Sequence, residues 1–98
     1  MKTVYISPGK RLSLQYHNHR EEWWLLVSGD AAAEIHDKKG RRIVPLKKGE
    51  VHRIGKKQIH RLFSKKGGII VEVAYGAFDE NDIVRLEDDH GRAKSTHR

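Results

Sequence analysis

Leu12, Leu14 and Tyr16 alternate along the chain with Ser13, Gln15 and His17. A repeat of two predicts an extended strand with the two sets on opposite faces. The same pattern predicts short strands at 4–6, 12–17, 22–27, 31–36, 42–46, 51–54, 59–63 and 69–74. Residues 82–87 read as a last strand or a short helical turn. Turn residues separate these runs, among them Ser7-Pro8-Gly9, Ser28-Gly29-Asp30, Asp37-Lys38-Lys39-Gly40 and Lys65-Lys66-Gly67-Gly68. Pro45 marks a strand end or a sheet edge. No stretch shows the repeat of an amphipathic helix. Many short strands with frequent turns predict an all-β sandwich or barrel of antiparallel sheets, with little or no helix. Residues 1–90 read as one domain, and 91–98 as a disordered basic tail.

The segment 22–27 is apolar on both faces: Trp23, Leu25 and Val27 alternate with Trp24 and Leu26. A strand with two apolar faces needs cover on both. A small sandwich covers one from within, so a homodimer is expected, with a second copy as the other cover.

The polar face of 12–17 changes the picture from architecture to chemistry. Gln15 and His17 share that face, His19 lies just beyond, and Glu22 opens the following strand. A carboxylate beside a strand that ends in imidazole and amide groups is how a sheet builds a metal site. Further along, His60 shares a strand face with Leu62 and Ser64. A buried histidine there needs a partner, because an unpaired buried polar group costs about 1–3 kcal/mol. A metal or a backbone carbonyl would serve. His52 is a weaker candidate, since neither Val51 nor Arg53 places it inside.

Composition narrows the options. The 98 residues include no cysteine, which excludes disulfides, thiolate metal sites and a cysteine nucleophile. Any metal must be held by histidine, carboxylate or amide oxygen. The net charge is +7, with the lysines and arginines concentrated between Lys38 and Lys66. A basic domain suits an anionic partner. The paired lysines sit in predicted turns, however, and Trp23 and Trp24 lie outside the basic segment. A solvated surface is therefore expected rather than a nucleic-acid platform. There is no apolar run of about 18 residues to cross a membrane. The N-terminus does not read as a signal peptide, so a cytoplasmic protein is expected.

The spacing of the candidate ligands is informative. Five residues separate Gly9 from Gln15, one separates Gln15 from His17, four separate His17 from Glu22, and six separate Glu22 from Gly29. This resembles the first motif of the cupin superfamily, Gly-x5-His-x-His-x4-Glu-x6-Gly, with Gln15 in place of the first histidine. His60 matches the histidine of the second cupin motif. The segments from Leu14 to Trp24, Val27 to Gly29, His60 to Leu62 and Asp82 to Arg92 are similar to the cupin domain of type II mannose-6-phosphate isomerase. That domain is often fused to a mannose-1-phosphate guanylyltransferase. The resemblance spans nearly all of 9–92.

The resemblance implies a double-stranded β-helix, the cupin jelly roll, with one divalent metal per chain held by Gln15, His17, Glu22 and His60. His19 is the alternative to Gln15. Zinc, manganese, iron, cobalt and nickel all suit such mixed donors. It also implies aldose–ketose isomerisation of a sugar phosphate, with the metal as Lewis acid. Glu21 and His19 are then candidates for the proton shuttle, and Arg11, Arg20 and Arg61 for phosphate anchors. Strand alternation turns Arg61 away from His60. The alternative is a small metal cupin that binds a sugar or other small ligand, or performs other metal chemistry such as dioxygenation. Departures from the family pattern are Gly55-Lys56-Lys57-Gln58 before the second-motif histidine, Ser64 for asparagine, and Trp23 where histidine is frequent.

Overall fold

The computed structural model describes residues 1–76 and 82–89. The strands in chain order are β1 (Lys2–Ile6), β2 (Leu14–His17), β3 (Arg20–Gly29), β4 (Ala32–Asp37), β5 (Gly40–Pro45), β6 (Val51–Ile54), β7 (Ile59–Phe63), β8 (Gly68–Gly76) and β9 (Ile83–Glu87). They form two antiparallel sheets. One has the order β1-β8-β3-β6 and the other β5-β4-β7-β2-β9. This is the all-β sandwich expected from the strand pattern, and the jelly roll that the cupin resemblance implies.

The expected strands at 51–54 and 59–63 are matched at both ends, the others are shifted by one or two residues, and three of the differences are instructive. β2 begins at Leu14 rather than residue 12, and Arg11 makes only an isolated bridge to Phe63. β3 extends in both directions beyond 22–27, because its pairing with β8 runs from Arg20 to Gly29, while β6 covers only Glu22 to Leu25 on the other side. Residues 83–87 resolve to a strand, held antiparallel along β2. Pro45 ends β5, which lies at a sheet edge where a missing N–H does no harm. The tail expected at 91–98 lies outside the described residues.

The core fills the space between the sheets. Trp24 and Leu26 of β3, Ile70 of β8 and Ile54 of β6 face Ala33 and Ile35 of β4 and Leu62 of β7. Each large apolar side chain buried in this way contributes about 1.5–3 kcal/mol relative to exposure. The packed core occupies one end of the sandwich. Toward the other end the inward positions of β2, β3, β7 and β9 are polar, and a cavity replaces the packing.

Candidate metal centre

Alternation on β3 directs Arg20, Glu22, Trp24 and Leu26 inward, and all four are buried. Glu22 therefore meets β2 and β7 across the sandwich. His17 Nε2 lies 3.2 Å from Glu22 Oε2, and His60 Nε2 lies 3.8 Å from Glu22 Oε1. One ligand atom from each of His17, Glu22 and His60 falls within 4.8 Å of the others, and all three residues are buried. Gln15 is the Cα partner of His60 across β2 and β7. Its Nε2 donates to Ser13 Oγ at 3.0 Å, which leaves the amide oxygen to face another partner.

The electrostatics are those of a buried carboxylate surrounded by donors. Burial alone would push the Glu22 carboxyl up. The hydrogen bond and charge of His17, with His60 and Arg20, outweigh it and hold Glu22 below the usual glutamate range. Arg20 lies 3.2 Å from Glu22 Oε2, and Trp24 Nε1 donates to Glu22 Oε1 at 3.3 Å. Burial pushes the His60 imidazole down to about 4, opposed by its hydrogen bond to Gln58 and by Glu22.

Both rings suit a metal. A carbonyl can only accept, so the 2.7 Å contact of His60 Nδ1 with Gln58 O places the proton on Nδ1. Nε2 then carries the lone pair and faces Glu22. This carbonyl-oriented imidazole is how a metal-binding histidine is held. His17 Nδ1 is buried with no hydrogen-bond partner among the described residues. Two nitrogens and a carboxylate oxygen, with an amide oxygen alongside, fit a divalent first-row ion.

The β6–β7 turn, where the sequence departs from the family pattern, positions both histidines. Lys57, in the left-handed region at φ 64°, donates its N–H to His17 O at 2.6 Å. Gln58 supplies the carbonyl that orients His60. Ser64, a second departure, locks two loops together, since its Oγ donates to Asp30 and accepts from Gly67 N.

Of the other candidates, Arg61 lines the cavity beside the cluster, and Glu21, His19 and Arg11 lie elsewhere. Glu21 is on the opposite face of β3 from Glu22 and pairs with Arg53. His19 is exposed in the β2–β3 turn, where its backbone N–H and that of Asn18 are held by the Asp82 carboxylate. Neither reaches the cluster: a one-residue step along β3 turns Glu21 to the other face, and His19 lies past the end of β2, where the alternation that would align it with His17 no longer holds. Arg11 makes a two-pronged contact with Asp89 at the surface. Arg61 is buried, and its guanidinium donates to Leu12 O and Glu87 Oε1, tying β7 to the β2 entry and β9. Arg20 alone of the three arginines joins the cluster. His52 stacks on Trp24 outside it.

A cavity of about 220 Å³ opens beside the cluster and includes Gln15, Arg20, Glu22 and His60. Three further charged residues line it that strand patterning did not single out: Lys2, Glu72 and Arg85. Arg85 is the β9 partner of Gln15. Lys2 and Glu72 are partners across β1 and β8, and Glu72 in turn pairs with Trp24 of β3. Burial pushes the Glu72 carboxyl up, and the Glu22 charge adds to the shift against the pull of Lys2 and Arg20. A charged residue inside an otherwise apolar strand, as Glu72 is between Val71 and Val73, was the available signal.

The comparisons with known proteins agree with this fold. The alginate biosynthesis protein AlgA of Pseudomonas aeruginosa is 41% identical over 96 residues, covering 94% of this chain and 19% of that protein. The chain spans about a fifth of the length of the curated relatives it matches. Two solved structures share the fold. The 3,4-ketoisomerase QdtA of Thermoanaerobacterium thermosaccharolyticum superposes with a TM-score of 0.72 at 19% identity, covering 86% of this chain and 64% of its own. Oxalate decarboxylase of Bacillus subtilis does so with a TM-score of 0.71 at 24% identity, covering 86% and 22%. With two antiparallel sheets, a cupin motif on β2 and β3, and a family model matching residues 1–88, the chain belongs to the mannose-6-phosphate isomerase C-terminal family.

Proposed function

We propose that this domain is a metal-dependent sugar-phosphate isomerase of the mannose-6-phosphate type, acting in the cytoplasm. The observation that carries the reading is the convergence of His17, Glu22 and His60 within 4.8 Å at the wall of a polar cavity. Those three, with the Gln15 amide oxygen, would hold one divalent ion. Such an ion supplies Lewis-acid polarisation of a sugar carbonyl and stabilises negative charge beside it. The chain's own residues do the rest. Arg20 and Trp24 fix the Glu22 carboxylate, and Gln58 fixes the His60 tautomer. The cationic side chains of Lys2, Arg20 and Arg85 give the cavity a charge that suits a phosphorylated sugar. The guanidinium is the better phosphate fork.

The test is a coupled assay of mannose 6-phosphate conversion to fructose 6-phosphate by chelator-treated protein, with each divalent metal added back. Metal-dependent turnover supports the reading. Stoichiometric metal binding without turnover on any addition leaves a ligand-binding metal cupin and rejects the isomerase.

The active form in this reading is a homodimer. The outer face of the four-stranded sheet carries Tyr5, Val51, Val73 and Tyr75, all exposed, alongside Trp23 and Leu25. An apolar patch of this kind on a small protein marks an interaction site. A second copy brings the same apolar surface to it, so one two-fold contact covers both faces.

A further inference from the structure

Isomerisation needs a group that removes a proton from one sugar carbon and returns it to the next. Glu22 is committed to the cluster, and Glu21 and His19 do not reach the cavity. Among the described residues that line the cavity, Glu72 is the one carboxyl outside the cluster. The strand register places it well. Lys2, Glu72 and Trp24 form one cross-strand row on the inner face of one sheet. Arg85, Gln15 and His60 form the row on the other sheet. Glu72 thus lines the same space as the metal cluster, where a group that moves a proton on a bound sugar has to be.

We propose that Glu72 is the carboxyl that carries the proton between neighbouring carbons of the sugar phosphate. The proposal rests on the isomerase reading of the cavity and names a residue for it. In the aldose-to-ketose direction Glu72 takes the proton from C2. The C–H electron pair becomes the C1=C2 double bond of an enediol, and the carbonyl π pair goes to O1, which gains a proton. Return of the proton from Glu72 to C1, with loss of the O2 proton and formation of C2=O, gives the ketose. The net change is one hydrogen from C2 to C1 and one proton from O2 to O1, with no external reductant or oxidant. The charged and titratable groups around Glu72 are Lys2 on β1, Arg20 and Glu22 on β3, His17 on β2, His60 and Arg61 on β7 and Arg85 on β9. Buried surroundings favour a carboxyl that holds a proton long enough to return it.

The experiment compares wild-type protein with Glu72→Gln and Glu72→Asp in D2O, using mannose 6-phosphate as the probe. Isomerisation and deuterium entry at C1 and C2 are followed by NMR. Metal content, melting temperature and sugar-phosphate affinity are measured alongside. Glu72→Gln should lose exchange and isomerisation together by about 100-fold or more, the scale of general base catalysis. It should keep its metal and its affinity, and Glu72→Asp should recover part of the rate. Wild-type rates in Glu72→Gln overturn the proposal and leave the isomerase reading standing. So does loss of metal from Glu72→Gln, or an equal loss of rate in both variants. No isomerisation by metal-loaded wild type overturns the isomerase reading, and the role of Glu72 with it.

Discussion

His60 combines a buried ring, a fixed tautomer and a carboxylate neighbour, so its removal and its titration both have readable consequences. His60→Ala should abolish most bound metal and the metal-induced rise in melting temperature, which follows from binding by mass action. His52→Ala, outside the cluster, should do neither. Metal analysis and calorimetry of the two variants check this, and full occupancy in a His17→Ala/His60→Ala double variant would refute the site. In the metal-free protein His60 is held down to about 4 from an ordinary 6.5. As pH falls between those values the unfolded chain takes up the proton first, so stability is lost on acidification. The contribution is complete above the unfolded value and is worth a few kcal/mol. Denaturation of metal-free protein should show this loss between pH 6.5 and 4. His60→Gln should flatten that part of the profile.

The elements that hold the centre are short and depend on their turns. β3 carries Glu22 and ends at Gly29, where φ is +75°. A Cβ there would come 2.1 Å from Gly67 O, so both the backbone conformation and the close approach require glycine. Gly29→Ala should cost about 2 kcal/mol or more, because β3 and β8 must separate locally to admit the methyl. A shift of the denaturation midpoint measures it, and an unchanged midpoint would contradict the loop packing. The β6–β7 turn is the other controlling element. Its backbone groups reach His17 O and His60 Nδ1, so its side chains can depart from the family pattern while the histidines stay in place.

At the scale of the molecule, the four-stranded sheet has one face in the core and one in solvent. Tyr5 is 73% exposed, Tyr75 68% and Val51 62%. Antiparallel sheets tolerate a wet face when it is polar, and this one, apart from the Glu21–Arg53 pair, is largely apolar. The proposed dimer buries it. Val73→Lys places a charge at the middle of the face, opposite Trp23. Sedimentation of the wild type should give the mass of two chains at micromolar concentration, and Val73→Lys the mass of one. A single-chain mass for the wild type would remove the dimer. Among the described residues no helix is long and apolar enough to cross a membrane.

The sequence by itself determined the strands, since alternation is a local consequence of side chains leaving an extended backbone on opposite faces. It also determined the facing of Gln15 and His17 and, through the spacing of Gly9, Gln15, His17, Glu22 and Gly29, the family. Only the tertiary structure decided which polar residues meet. His17 and His60 come from strands far apart in the chain, and Glu22 from the opposite sheet. Alternation on β3 turns Arg20 in and Glu21 out, but the pairing of Arg11 with Asp89 and the hold of Asp82 on the His19 turn bring together residues that no local pattern links. Lys2, Glu72 and Arg85 became neighbours of the site because register brings one position of each strand to the same level of the sandwich. Register is set by contacts across the whole fold, and alternation along one strand cannot specify it.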